Sequence, residues 1–157
     1  MKNYILISPW SKELRDKSYN PKNYPYWEKV IKDLKDEYDF LQIGVTGEKK
    51  LVDDFRINLP LKKIGELLTD DRCHTWISVD NFLPHLAHLV GKPGIVIWGL
   101  SDPNIFGYRE NKNLLKARKY LRDNQFFIWD GLKYDPNVFV TADKVIEAVR
   151  EYPSQSA

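Results

Sequence analysis

The chain has 157 residues, a net charge of +2 at pH 7 and a single cysteine. This length fits one domain with a sizeable core, and from so small a charge we expect no nucleic-acid partner. One cysteine excludes an intrachain disulfide, which suits a cytoplasmic protein. The sequence also contains no apolar run long enough for a membrane span, and its amino-terminal apolar run is too short for a signal peptide.

The first two thirds of the chain alternate between strand and helix patterns. Short apolar runs predict strands at residues 4–7, 40–45, 75–79 and 95–98, and a short extended piece at 55–57. Apolar residues at helical spacing predict helices that follow Pro25, that cover 61–68 and that cover 83–90, where Gly91 and Pro93 end the pattern.

The pattern weakens after Pro103. Leu114, Ala117, Tyr120 and Leu121 could share a helix face, residues 126–129 suggest a strand, and residues 138–140 could be extended. Thr141 is expected to cap a last helix. The alternation predicts an α/β fold with a single Rossmann-like, doubly wound parallel sheet and helices on both faces. We expect one domain over residues 1–152 and a flexible tail over residues 153–157.

Polar turns follow each predicted central strand. Because the carboxyl ends of parallel strands share one edge of the sheet, these turns should meet there. Hydroxyls, a lysine and a helix amino end suit a phosphate, and the carboxylate of Glu48 suits the hydroxyl pair of a ribose. The turns therefore predict a nucleotide site, built from Ser8, Ser11, Lys12, Gly44, Gly47, Glu48, Asp80, Asn81, His85, Gly99, Ser101 and Asp102.

Four sequence blocks occur in an order that resembles a known family. They are Lys22-Asn-Tyr-Pro-Tyr-Trp27, Gly44-Val-Thr-Gly-Glu48, Asp80-Asn-Phe-Leu-Pro-His-Leu-Ala87 and Trp98-Gly-Leu-Ser-Asp-Pro103. The order is similar to that in the carboxyl-terminal, donor-nucleotide-binding half of heptosyltransferase-like enzymes of glycosyltransferase family 9. That family has the GT-B fold, in which two Rossmann-like halves enclose a cleft.

The resemblance implies that the chain binds a nucleotide-sugar donor. Asp80 and the helix after it would approach the diphosphate, Lys12 or Lys22 would neutralise phosphate charge, Glu48 would hold the ribose, and His85 would support the phosphate turn or the sugar. Transfer would be inverting and would need no metal or other cofactor. The resemblance names no catalytic residue here, so we expect an acceptor-binding partner chain, or a second copy, to complete the cleft.

Two departures from the family pattern keep other functions open. Asn81-Phe82 stands where the family has Ser/Thr-Gly, which adds bulk beside the expected phosphate, and Pro84 removes one amide donor. The chain could therefore be a non-catalytic module that binds a nucleotide or a nucleotide-derived signal, or an interaction protein with a degenerate site. At single positions, Asp80 could only cap a helix, Glu48 could only be a solvated turn residue, and His85 with His88 could bind a metal.

Overall fold

A computed structural model of the protein describes residues 2–153, so residues 154–157 of the expected tail lie outside the described residues. Residues 2–153 contain six strands: β1 Tyr4–Ser8, β2 Asp39–Gly44, β3 Asp54–Ile57, β4 Cys73–Val79, β5 Ile95–Trp98 and β6 Lys112–Leu115. The same described part of the chain contains five helices: α1 Trp27–Leu34, α2 Leu61–Thr69, α3 Leu83–Leu89, α4 Pro103–Phe106 and α5 Ala142–Glu151. Single 3₁₀ turns occur at Arg118–Tyr120 and Pro136–Val138.

The six strands form one sheet in the order β3-β2-β1-β4-β5-β6, and every pair of neighbours is parallel. This order reverses direction between β1 and β4. A crevice opens outside the carboxyl ends of the strands at such a reversal, and ligands of open α/β sheets bind there. The predicted fold class is confirmed.

Apolar side chains cover both faces of the sheet, as expected for strands that are buried on both sides. Ile5 and Ile7 of β1 pack against α1 and α5, whereas Tyr4 and Leu6 pack against α2 and α3. Alternate residues of a strand point to opposite faces, so β1 contributes to both cores. These two cores fix the helices on both sides of the sheet and hold the carboxyl-end turns in place.

The prediction of a helix at residues 114–121 is wrong, because that segment begins with an edge strand. β6 pairs with β5 from Ile95–Lys112 to Trp98–Leu115. The indole N–H of Trp98 also donates to Asn113 Oδ1 at 2.9 Å. The leucine and tyrosine spacing imitated a helix face, but pairing with a buried neighbouring strand outweighed that local preference.

The prediction of a strand at residues 126–129 is also wrong. The guanidinium of Arg122 donates to the carbonyls of Gln125, Phe127 and Ile128, so the backbone curls around the cation instead of extending. Residues 138–140 form no strand either, since Val138 ends a 3₁₀ turn. The short helix α4, with Asp102 as its N-cap, was not predicted.

The link between β2 and β3 contains no helix, although parallel neighbours usually need one. The buried side chain of Gln42 holds this link, since its amide donates to the carbonyl of Lys49 at 2.9 Å and accepts from the N–H of Leu51 at 2.7 Å. The indole of Trp10 also donates to the carbonyl of Lys49. Residues 45–51 are thereby held over the carboxyl edge of the sheet. Within residues 2–153, no helix combines the length and apolarity that a membrane span requires.

Candidate nucleotide-binding cleft

A cleft of about 1430 Å³ opens at the carboxyl ends of β1, β2 and β4, where the strand order reverses. Its volume exceeds the range of typical small-molecule pockets, about 300–1,000 Å³, because one side is open. Eight of the twelve residues predicted from the turns line the cleft: Ser8, Ser11, Lys12, Gly44, Gly47, Glu48, Asp80 and Asn81. Lys22 and Phe82, which belong to the blocks that resemble the family, line it too. The topology has therefore brought the first three polar turns together.

Asn81 joins the turn after β1 to the end of β4. Its side-chain amide donates to the Ser8 carbonyl at 3.1 Å, to Ser8 Oγ at 3.0 Å and to the Trp10 carbonyl at 3.2 Å. Its Oδ1 accepts from the N–H of Leu83 at 3.0 Å. These bonds occupy the amide of Asn81 within the protein, so its side chain shapes the floor of the cleft.

The wall formed by residues 12–25 has no regular secondary structure but is fixed by two buried asparagines. Asn23 accepts from the N–H of Ser11 at 2.7 Å, and Asn20 donates to the carbonyl of Lys12 at 2.8 Å while accepting from the N–H of Lys22. The hydroxyl of Ser11 donates to the carbonyl of Asp80 at 2.7 Å. The wall is therefore ordered by side chain to backbone bonds, which place Lys12 and Lys22 on the cleft.

Asp80 forms an ion pair with Lys22, whose Nζ lies 3.2 Å from Asp80 Oδ2. The side chains are 16% and 22% exposed, so water screens this pair less than a surface pair. The Lys22 ammonium also lies 4.9 Å from the centre of the Trp129 ring. Asp80 does not act as the N-cap of α3, because that helix has no side-chain cap bond at its N-cap.

We expect Lys22→Met to cost about 1–3 kcal/mol of the free energy of unfolding, because it leaves the Asp80 carboxylate largely buried without its cation. Urea unfolding measures this effect. Lys29→Met is the matched control, because Lys29 pairs with Asp33 on an exposed surface and should cost less than about 1 kcal/mol. Equal costs for the two variants would contradict the inference that the Lys22–Asp80 pair is structurally important.

Glu48 lies half-buried at the carboxyl end of β2. Its Oε1 accepts from the N–H of Val45 at 2.8 Å, and none of the ion pairs within residues 2–153 involves its carboxylate. Burial raises the pKa of Glu48 above its ordinary value, and the hydrogen bond from Val45 opposes the rise. Gly44 makes room for this arrangement, since a Cβ there would lie 2.5 Å from Glu48 Oε1. Gly47, at φ +93°, completes the turn.

The first turn of α3 offers few free amide groups. The N–H of Leu83 donates to Asn81, Pro84 has no N–H, and the N–H of His85 donates to the carbonyl of Phe82 at 3.1 Å. A phosphate near α3 would find no free donor among these three residues. Contacts with a phosphate would have to come from side chains of the cleft.

The remaining predicted residues do not line the cleft. His85 bonds through Nδ1 to the hydroxyl of Tyr108 at 2.8 Å. Ser101 is buried, and Asp102 caps α4 and pairs with Arg118 at 2.7 Å. The polar groups of the turn after β5 are therefore bonded within the protein, and this turn does not join the other three at the cleft.

The second histidine of α3 has its own partner on the same surface. His88 pairs through Nδ1 with Glu110, and its ring stacks on that of Tyr108 with centroids 4.0 Å apart. No group of three or more histidine, cysteine, aspartate or glutamate side chains within residues 2–153 is arranged to hold a metal ion.

Several residues that line the cleft were not predicted from the sequence. One wall contains Asn20 and Asn23, which a sequence pattern does not distinguish from ordinary loop residues. The opposite end is apolar and includes Leu59, Leu61 and Ile64 beside the exposed ring of Phe82. The apolar stripe of α2 was visible in the sequence, but only the fold shows that part of it faces the cleft.

No protein-family model matches the sequence, and no curated protein does. Solved structures of glycosyltransferases match the fold. ADP-heptose LPS heptosyltransferase II of Escherichia coli has a TM-score of 0.67 at 15% identity, over 95% of this chain and 46% of its own. The heptosyltransferase WaaC of Escherichia coli, solved with ADP, has a TM-score of 0.64 at 17% identity, over 97% of this chain and 45% of its own.

A glycosyltransferase of family 9 from Veillonella parvula has a TM-score of 0.63 at 15% identity, over 95% of this chain and 45% of its own. The chain thus spans less than half the length of each of these enzymes. Identities this low establish a shared fold and nothing finer. The protein has the Rossmann-like α/β fold found in part of these glycosyltransferases.

Proposed function

We propose that the cleft binds a nucleotide through its ribose and phosphates, and that the natural ligand is the nucleotide-sugar donor of a glycosyl transfer. The observation that carries the proposal is Glu48, a half-buried carboxylate on the cleft that has no ion-pair partner within the described part of the chain. Burying an ionised group without a cation costs free energy, so its presence on a cleft calls for a ligand that donates to it.

A ribose fits this requirement, because its two neighbouring hydroxyls donate two hydrogen bonds. Oε1 of Glu48 already accepts from Val45, which orients the carboxylate and leaves Oε2 for the sugar. An acidic residue near the end of the second strand has this role in many Rossmann-like folds. Glu48 occupies the corresponding place at the end of β2.

The phosphates of the ligand would lie toward the wall formed by residues 12–25. This wall presents Lys12, Arg15, Lys17 and Lys22 to the cleft. Lys12, Arg15 and Lys17 form no ion pair within residues 2–153, so they can meet an incoming anion without first losing a partner. The base would occupy the apolar end at Leu59, Leu61 and Phe82, where aromatic and alkyl surface can contact its faces.

For the reaction, we propose inverting transfer from the bound nucleotide sugar without a metal. The cations of the wall would stabilise the diphosphate leaving group as its charge develops. The similar enzymes are about twice as long as this chain, so we further propose that the chain corresponds to their donor half. A partner chain, or a second copy, would supply the acceptor site and the catalytic base, and the protein would act in the cytoplasm.

A second candidate function is nucleotide binding without transfer. Phe82 is exposed on the cleft, and the amides at the start of α3 are occupied or missing, so the diphosphate has fewer backbone contacts than a helix start usually offers. Binding with no sugar release or transfer, alone or with candidate partner proteins, would favour this module over the enzyme.

The test is a titration of the chain with ADP, GDP and UDP, and with 2′,3′-dideoxy forms of each, followed by calorimetry and thermal shift. We expect one base to bind best and its dideoxy form to bind at least about tenfold more weakly, since a hydrogen bond to a charged group is worth about 1.5–3 kcal/mol. In Glu48→Gln the difference between the ribose and dideoxy forms should shrink, because a neutral amide makes a weaker hydrogen bond to the hydroxyls than a carboxylate does. If no nucleotide binds, the proposed function is wrong.

The same variant separates binding from stability. Because burial raises the pKa of Glu48, ionisation of this carboxyl disfavours the folded state, and the penalty is fully present above the folded-state pKa. Glu48→Gln should therefore unfold at pH 7 no more easily than the wild type. Nucleotide affinity of the wild type should fall as pH decreases through the raised pKa of Glu48, and Glu48→Gln should lose that dependence. A destabilised Glu48→Gln would instead mark a structural carboxylate.

A further inference from the structure

Three consecutive apolar side chains are exposed on the segment of residues 125–132, which we call the aromatic loop. Phe126, Phe127 and Ile128 are 78%, 60% and 58% exposed. Single exposed apolar residues are common, but three in succession with two aromatic rings form a patch that calls for a partner. The patch extends to α4, because the rings of Phe126 and Phe106 meet edge to face at 5.6 Å.

The aromatic loop has a defined conformation. Arg122 donates to the carbonyls of Gln125, Phe127 and Ile128. The amide of Gln125 donates to the carbonyls of Leu100 and Arg122, and its oxygen accepts from the N–H of Asp102 at 2.8 Å. The backbone is thus satisfied by the protein while the apolar side chains point outward, so their exposure is a feature of the folded state.

The stretch of sequence that contains this loop is rich in positive charge. Residues 109–133 contain seven lysines and arginines and three acidic residues, a net charge of +4, whereas the whole chain has +2. The rest of the chain is therefore at −2. Lys119 and Lys133, which flank the loop in the sequence, are exposed and form no ion pair within residues 2–153.

We propose that the aromatic loop, together with its flanking cations, binds the surface of an anionic lipid bilayer. The apolar tip would enter the boundary between headgroups and acyl chains, and the surrounding lysines would meet anionic headgroups. Exposed aromatic residues alone would suit a protein partner equally well. Exposed, unpaired lysines favour the bilayer, because lysine is depleted at protein–protein interfaces.

The loop is physically connected to the cleft. The Trp129 ring lies 3.7 Å from the guanidinium of Arg122 and 4.9 Å from the ammonium of Lys22, which pairs with Asp80. A bilayer bound at the loop would therefore lie beside the rim of the cleft. The proposal does not depend on which ligand the cleft binds.

The experiment is co-sedimentation of the purified chain with vesicles of equal parts phosphatidylglycerol and phosphatidylcholine, and with vesicles of phosphatidylcholine alone. We expect binding to the anionic vesicles that weakens as salt is added. The double variant Phe126→Ser/Phe127→Ser should lower the partition coefficient at least about tenfold. Lys119→Glu should lower it several-fold.

Matched controls lie outside residues 109–133. Leu89→Ser changes a side chain on α3 that is 80% exposed, and Lys62→Glu changes an exposed lysine on α2. Both variants should bind like the wild type. Unfolding by heat should be unchanged in the loop variants, since their side chains are exposed.

Two results would overturn the proposal. The first is equal or absent binding to the two kinds of vesicle by the wild type. The second is self-association of the wild type that Phe126→Ser/Phe127→Ser abolishes, without vesicle binding, which would assign the loop to a contact between copies of the chain. Titration of the same loop variants with nucleotides measures binding at the cleft, independently of vesicle binding at the loop.

Discussion

Asn81→Asp should destabilise the folded chain by about 3 kcal/mol and lower the affinity of the cleft for every ligand. The substitution keeps the shape of the side chain but replaces the amide that donates to Ser8 and Trp10 with a carboxylate oxygen. Oxygen would then face two carbonyl oxygens at about 3 Å in a half-buried site, which adds repulsion to the lost hydrogen bonds. Urea unfolding and nucleotide titration measure the two effects.

Asn58→Asp is the matched control for this variant. Asn58 has φ +57°, which aspartate also tolerates, and its amide donates to the hydroxyl of Thr46 at the exposed surface. We expect it to cost less than about 1 kcal/mol. If Asn81→Asp costs no more than Asn58→Asp, the turn after β1 is held mainly by other contacts, such as the hydroxyl of Ser11.

Gly94→Ala should cost about 3 kcal/mol or more, because the space that its methyl group needs is filled. A Cβ at position 94 would lie 2.1 Å from Cε2 of the Trp76 ring, which is fully buried. That ring is also fixed by a 2.8 Å hydrogen bond from its indole N–H to the carbonyl of Lys92. A rigid, bonded ring cannot move aside cheaply, so the added methyl forces strain into β4 and β5.

The comparison is with Gly65→Ala, which adds the same methyl group inside α2. There the nearest atom to the new Cβ is a methyl carbon of Val90 at 3.5 Å, an ordinary contact. Alanine also favours the helix over glycine by about 1 kcal/mol, so this variant should be neutral or more stable. Urea unfolding of the two variants gives the difference directly. A Gly94→Ala protein as stable as Gly65→Ala would mean that Trp76 can repack.

Lys22 connects the two proposals made for this protein. Its ammonium contacts Asp80 on the cleft and the ring of Trp129 in the aromatic loop. An anionic ligand that attracts Lys22 would act on both contacts. Nucleotide titrations in the presence and absence of anionic vesicles therefore give a direct measure of any coupling between the two surfaces, since coupling must be reciprocal.

The fold class was determined by the sequence itself. The apolar runs of β1, β4 and β5 are short, buried on both faces and separated by helical stripes, and this alternation specifies a parallel sheet covered by helices. The turn that contains Glu48 and the turns after β1 and β4 were likewise predictable, because parallel strands end at one edge. These features depend on local hydrophobic pattern and on general topology.

The carboxyl-terminal third was decided by tertiary contacts. β6 is a strand because it pairs with β5, and the segment of residues 126–129 is curled because Arg122 binds its carbonyls. Neither cause is visible in the spacing of apolar residues. Long-range strand pairing and the hydrogen bonds from a single guanidinium outweighed the local preference of those segments.

Tertiary structure also decided which of the predicted binding residues can act together. Lys22 and Asp80 are 58 positions apart in the sequence, yet their charges meet at 3.2 Å on the cleft. Asp102 and His85, which looked equivalent in the sequence, are committed to Arg118 and Tyr108. Polar residue types at strand ends indicate where a site can form. Hydrogen bonds and ion pairs within the folded chain determine which of those residues remain available to a ligand, and these depend on three-dimensional positions that the sequence does not display.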